Sequence, residues 1–168
     1  GISIRPLDTV EEVFRASAVL AEVWGGDRSG MPPNLLRALA HSGNYAVGLY
    51  DGEAMVGASV AFFAAPAERS MHSHITGVLP GLQSRGLGRL LKQHQREWAF
   101  ARDVGHITWT FDPLVARNAH FNLRVLGEDG RPLRQGHDLL VVREQLRERA
   151  ARRESGPAHA WSREGVRR

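Results

Sequence analysis

The chain has 168 residues, 42% hydrophobic and 24% charged, a formal net charge of +4 and no cysteine. That length suits one domain with a real core, since a chain of this size buries about 68 to 70% of its unfolded surface, and the composition argues against wholesale disorder. The absence of cysteine excludes a disulfide framework, a thiolate zinc site and a cysteine nucleophile.

Ile2, Ile4 and Leu7 alternate with polar residues and predict a short strand closed by Pro6. Asp8 or Thr9 can cap a helix whose apolar positions Val10, Val13, Phe14, Ala18, Leu20, Ala21 and Trp24 recur at helical spacing, and Gly25-Gly26 ends it. Pro32-Pro33 opens a second helix, Asn34 to Ala40. From Tyr45 the period changes: Tyr45 to Tyr50 and Met55 to Ala64 read as two strands joined at Asp51-Gly52. Another strand, Met71 to Leu79, is expected to place His72, His74, Thr76 and Val78 on one face and Ser73, Ile75 and Gly77 on the other. A long helix, Ser84 to Arg102, should bury Leu87, Leu90, Leu91, Trp98 and Ala101. His106 to Phe111 reads as a strand broken by Asp112-Pro113, Ala116 to Leu126 as a helix, and Asp138 to Val142 as one last strand after a polar turn.

This gives a domain over residues 1–142 and a basic tail over residues 143–168, whose eight Arg and four Glu account for the whole charge excess. Such a tail is more commonly a solvated helix or an unstructured end than a nucleic-acid contact, so nucleic acid is not an expected partner. The longest apolar stretch, Met55 to Ala67, contains Gly57, Ser59 and Pro66 and is too short to span a bilayer. No signal-peptide pattern opens the chain, and a cytoplasmic location is expected.

The segment from Val78 to Gly88, V-L-P-G-L-Q-S-R-G-L-G, joins an apolar strand to an amphipathic helix. Gly81, Gly86 and Gly88 let the backbone turn tightly and approach a ligand, and the following helix presents unpaired N–H groups and a positive dipole end. Such a turn favours an anion. The glycine spacing is neither the dinucleotide pattern G-x-G-x-x-G nor the P-loop pattern G-x-x-x-x-G-K-[ST].

Gln83, Gly86 and Gly88 fill the pattern [QR]-x-x-G-x-[GA], preceded by Val78 and Pro80, and with this element order they resemble the GNAT superfamily of acyl-CoA-dependent N-acetyltransferases over residues 1–142. T-F-D-P-L (Thr110 to Leu114) and R-N-A-H-F-N-L (Arg117 to Leu123) resemble a bacterial group of predicted GNAT acetyltransferases. The resemblance implies an α+β fold, a mixed central sheet flanked by helices in the order β-α-α-β-β-β-α-β-α-β. It implies acetyl-CoA or a related acyl-CoA as cosubstrate, a primary amine as acceptor attacking directly, no metal, and leaves a homodimer open. The implied coenzyme site comprises Val78, Leu79, Gln83, Ser84, Arg85, Gly86, Leu87, Gly88 and Arg89; Asn118, two residues past the family's Asn position, is a further candidate contact that does not follow from the motif. Amides from Arg85 to Arg89 would hold the pyrophosphate, the helix dipole adding about 0.3 to 2 kcal/mol. Amides near Val78 and Leu79 would hold the thioester oxygen and the pantetheine arm where two strands splay. Arg85, Arg89, Lys92 and Arg96 form a basic stripe, in which Arg85 and Arg89 are the better phosphate ligands.

Other positions depart from the family's pattern. No Glu stands on the strands where the family often keeps its base; His74, and after it His72, offer an imidazole with a suitable pKa. Two His at i, i+2 lack a third metal ligand by spacing. The family's Asn and Tyr positions hold Ala116 and Leu123, leaving His120 as a candidate acid. Asp112 either recognises a cationic amine or forms a turn before Pro113, and Trp109 and Phe111 either line the acceptor pocket or belong to the core. After Gly127 the sheet is expected to fall short of a full hairpin. The missing Tyr and this short end keep open the alternative of a non-catalytic acyl-CoA-binding module.

Overall fold

The computed structural model describes residues 1–25, 31–111, 132–134 and 140–145. An edge strand, β1 (Ile2–Pro6), is followed by α1 (Val10–Trp24) and α2 (Pro33–His41). The sheet continues with β2 (Tyr45–Asp51), β3 (Ala54–Phe63) and β4 (Ser70–Val78), then α3 (Leu87–Phe100) and β5 (His106–Phe111). It closes with β6 (Pro132–Arg134) and β7 (Leu140–Gln145). Among the described residues, seven strands form the sheet in the order β1-β2-β3-β4-β5-β7-β6. Neighbours are antiparallel except β4 and β5, which run parallel, so the sheet is mixed.

Local chemistry fixes the first helix at both ends. Thr9 accepts from the Glu12 amide and the Glu12 carboxylate accepts from the Thr9 amide, a reciprocal capping box. Gly25 ends the helix at φ +91°, a left-handed conformation that costs glycine little. The buried face of α1, with Val13, Ala16 and Leu20, packs with Leu36 of α2 on Tyr50, Ala58 and Val60 of the sheet. The opposite face is covered by α3, whose Leu87, Leu91 and Ala99 pack on Tyr45, Val47, Leu49, Met71, Ile107 and Trp109.

Three sequence expectations need correction. The long helix begins at Leu87 because Ser84 and Arg85 lie in a 3-10 turn that ends at Gly86, φ +73°. Its buried stripe runs through Leu87, Leu91, Gln95 and Ala99 at a strict four-residue step, leaving Leu90 and Ala101 exposed. Gln95 is admitted to the core because its amide donates to Ser59 Oγ at 3.4 Å. At the chain's end there are two strands where one was expected: β6 pairs antiparallel with β7, and β7 starts at Leu140 and runs to Gln145. Three residues opening on proline carry no alternation to reveal β6, and the polar end of β7 is held by its pairing with β5, from His106↔Gln145 to Phe111↔Leu140. The helix expected over Ala116 to Leu126 lies outside the described residues.

Two features of this packing can be tested. A Cβ added at Gly57 would stand 2.8 Å from the Gly77 carbonyl oxygen, which cannot retreat without opening the β3–β4 ladder. Gly57→Ala is therefore expected to cost about 1 to 3 kcal/mol in chemical denaturation, and an unchanged midpoint would refute the close approach. The second concerns the buried Tyr45 hydroxyl, 2.9 Å from His94 Nδ1. Burial lowers the His94 pKa, with Glu97 opposing in part. A folded value below the unfolded one means that this stability is fully present above about pH 6.5 and lost as pH falls through the folded value. The melting temperature should drop between about pH 7 and pH 5, and His94→Gln, which keeps an acceptor for Tyr45, should flatten that drop.

Candidate active site

The turn after β4 is held at both ends. Leu79 donates its amide to Val56 O at 2.9 Å, Leu82 donates to Leu79 O at 3.2 Å, and Gly81 takes φ +86° between them. Gln83 reaches back, its Nε2 donating to Val78 O at 3.1 Å, so this side chain ties the turn to the strand it follows. Gly86 then takes φ +73° and α3 begins. The first bond onto the helix is from Leu90 N to Gly86 O, at 3.1 Å, which leaves the amides of Leu87, Gly88 and Arg89 directed out of the helix end. A Cβ at Gly81 or Gly86 would meet nothing within 4 Å, so the requirement there is the backbone angle and the space beside the turn is open.

The basic stripe does not survive as one face. Arg85 lies before the helix and its Nη1 is 3.2 Å from Asp51 Oδ2, at the far end of β2. Arg89 is exposed near the helix mouth, as is Ser84 before it. Lys92 turns toward the sheet, donating to Ser73 Oγ at 2.6 Å and lying 5.5 Å from the centre of the Trp109 ring.

A cleft opens beside this turn. β4 and β5 pair only as Ser70↔His106, Met71↔Ile107 and His72↔Thr108, after which they part while β4 continues to Val78. The Leu79 bond to Val56 makes that pair a hydrogen-bonded one, so by antiparallel alternation Ile75 and Gly77 bond to β3 while the amides of Thr76 and Val78 face the cleft. Of the two amides expected at the splay, that of Val78 is directed there and that of Leu79 is used in the sheet.

Residue faces on β4 differ from simple alternation. The register with β3 shifts between Val60 and Ala61, pairing Val60 with Ile75 and Ala61 with Ser73, so His74 is the extra residue of a bulge. His72 consequently lies on the side of Ile75 and α1, across the sheet from Thr76 and Val78, which corrects the expected grouping. His72 and His74 do flank one ring, Phe62, with centroids 5.3 and 5.9 Å away. His72 is half-buried, with Nδ1 3.1 Å from Thr108 Oγ1 at the last paired position before the cleft. Burial, then the charges of His74 and Lys92, lower its pKa and favour the neutral imidazole. His74 is exposed on the bulge.

Trp109 belongs to the core on the α3 side. Phe111 is the last residue of β5, while Asp112, Asn118 and His120 lie outside the described residues. Among those described, no three His, Cys, Asp or Glu side chains gather to hold a metal ion, and no helix is long and apolar enough to cross a membrane. Sequence reasoning missed Asp51 as partner of Arg85, Thr108 as partner of His72, and the meeting of Lys92, Ser73 and Trp109, because each depends on strand register over long separations.

The geometry has relatives. Residues 10–127 match the family model described as Acetyltransferase (GNAT) family, whereas no curated protein matches the sequence. Among solved structures, the PaiA N-acetyltransferase of Thermoplasma acidophilum, in complex with coenzyme A, is similar with a TM-score of 0.73 at 10% identity, covering 86% of this chain and 99% of that one. The ribosomal-protein-S18-alanine N-acetyltransferase of Escherichia coli gives 0.71 at 12% identity, with 87% and 94% covered. YncA of Salmonella typhimurium, solved with acetyl-CoA, gives 0.63 at 15%, with 87% and 94% covered. At such identities the structural likeness shows the shared fold, and the family match, spanning more than two thirds of the sequence, shows the rest: the chain belongs to the GNAT acetyltransferase family.

Proposed function

We propose that the protein is an acyl-CoA-dependent N-acyltransferase, moving an acetyl or related acyl group from coenzyme A to a primary amine of a small molecule or peptide by direct attack. The observation that carries this reading is the placement of the Val78–Arg89 turn at the mouth of the cleft between β4 and β5. The amides of Leu87, Gly88 and Arg89 and the positive end of α3 suit a pyrophosphate, with the Arg89 guanidinium beside them. Gly86 supplies the positive φ that starts α3 there. The amides of Val78 and Thr76, left without a strand partner by the splay, suit the pantetheine arm and the thioester oxygen. Coenzyme A and acetyl-CoA in the Thermoplasma and Salmonella structures support the same ligand class here.

In the reaction the amine nitrogen forms a bond to the thioester carbon, the C–S bond breaks, and the thiolate departs and takes up a proton. The attacking amine must lose a proton, and His72 is the better base. It is neutral, half-buried and held by Thr108 where the strands part, whereas His74 faces solvent on the bulge. The competing reading, a module that binds acyl-CoA without turnover, loses one support because β6 and β7 finish the sheet. Its other support, Leu123 at the family's Tyr position, lies outside the described residues.

Coenzyme binding should raise the melting temperature in proportion to the logarithm of coenzyme A concentration, by about 2.7 kcal/mol of stability at 100 times Kd; an intact protein showing no rise would sink the reading. Gln83→Leu removes the donor to Val78 O and should weaken coenzyme A binding about two- to tenfold. For the base, thiol release across a panel of amines should fall about 10²- to 10⁴-fold in His72→Gln with coenzyme affinity unchanged. His74→Gln should stay near the parent rate, and the reverse pattern would transfer the role to His74.

A further inference from the structure

A chain of side-chain hydrogen bonds runs from the core to the open edge of β4. Ser59 and Thr76 are paired across β3 and β4, with Ser59 Oγ and Thr76 Oγ1 2.8 Å apart. Gln95 of α3 meets them, its Nε2 donating to Ser59 Oγ at 3.4 Å. Ser59 is 0% exposed and Gln95 1%, whereas Thr76 is only half-buried, so the chain opens at its last member. Its direction follows from the donors. An amide nitrogen can only donate, and the Ser59 proton then has Thr76 Oγ1 as its acceptor. Left without one, a buried hydroxyl proton would be unfavourable. Ser59 therefore donates to Thr76, and the Thr76 hydroxyl keeps its own proton for an acceptor that no described residue supplies.

We propose that Thr76 is a catalytic residue whose hydroxyl donates to the thioester oxygen of a bound acyl-CoA, completing with a β4 amide the place where negative charge forms on that oxygen. The proposal rests on the coenzyme reading given above. Pairing with β5 ends at His72, so the flank of Thr76 opposite Ser59 is the cleft. The bond accepted from Ser59 holds Oγ1 toward β3, and the remaining proton is directed away from it, toward the gap. Thr76 thus offers two donors there, its amide in the plane of the sheet and its hydroxyl from the α3 side. When the amine adds, the oxygen takes the π pair of the carbonyl; when the C–S bond breaks, that pair returns. Thr76 keeps its proton throughout, acting as a hydrogen-bond donor and not as an acid. Accepting from Ser59 strengthens the hydroxyl as a donor, and a donor already held in place needs no reorientation as the charge develops.

Isotope-edited infrared spectroscopy of acetyl-CoA labelled at its carbonyl carbon and bound to the full chain reads this contact directly. The thioester stretch should lie at lower frequency on the parent than on Thr76→Val, which keeps the shape and the amide but has no hydroxyl, and Thr76→Ser should restore the parent frequency. Thiol release with an accepted amine should fall about 10²- to 10³-fold in Thr76→Val, at unchanged affinity for acetyl-CoA by calorimetry. Ser59→Ala interrupts the same chain yet leaves the Thr76 hydroxyl, and should lose less than Thr76→Val in both readouts. An equal stretch on the parent and on a folded Thr76→Val protein, or equal losses in Ser59→Ala and Thr76→Val, overturns the proposal. If acetyl-CoA does not bind the parent, the coenzyme reading fails and this one with it; if it binds and its carbonyl is insensitive to Thr76, this proposal alone is lost.

Discussion

The site depends on one structural event, the parting of β4 from β5 after His72 and Thr108. A strand inside a sheet normally satisfies its amides on both sides. Here β4 remains bonded to β3 as far as the Leu79–Val56 contact, so its second row of amides, at Thr76 and Val78, stays oriented although the partner strand has gone. The cleft is therefore a missing stretch of sheet with one preorganised edge, suited to an extended ligand that can accept hydrogen bonds. The Gln83 bond to Val78 O fixes the mouth of that edge, and the close approach of Gly57 to Gly77 fixes its back.

The same event divides the site's electrostatics between two faces. The bulge at His74 moves His72 to the α1 side, where partial burial keeps its imidazole neutral. Without the bulge, strict alternation would have set His72 beside Thr76 and Val78 under α3. Lys92 occupies that side instead. An imidazole and a cation at one parting point would interfere if they shared a face, since the cation disfavours the protonated imidazole. Separation by the sheet reduces that coupling while leaving both within reach of the cleft.

How much of this was legible in the sequence depends on the range of the interaction concerned. Thr9, Gly25, Gly52 and the Gln83–Gly86–Gly88 spacing act over a few residues, and the order of the elements through β5 was read correctly. Helix starts slipped where a positive φ intervened, as at Gly86, because a glycine can either continue or stop a helix and the letter alone does not say which. β6 escaped notice because three residues beginning with proline have no periodicity, and the polar end of β7 because its strand character comes from β5. The Val78–Gly88 turn was legible as one local segment. The faces of His72 and His74 were not, because a bulge is a property of two paired strands and only one of them carries the histidines.

Arg85 shows how the charge around the turn is moderated. Its guanidinium is paired with Asp51, and both side chains remain nearly half exposed, at 48% and 41%. A pair so exposed is worth about 0 to 1 kcal/mol, too little to hold Arg85 against a pyrophosphate bound at the helix end, whose attraction for a guanidinium is charge-assisted and bidentate. The Asp51 contact therefore leaves Arg85 able to turn to such a ligand at little cost. The turn thus presents ordered amides from Leu87 to Arg89, an exposed cation at Arg89, and a second cation on a weak tether. In the proposed coenzyme reading the pyrophosphate end belongs to that arrangement, and the acyl group to the opposite end of the cleft, where the strands close.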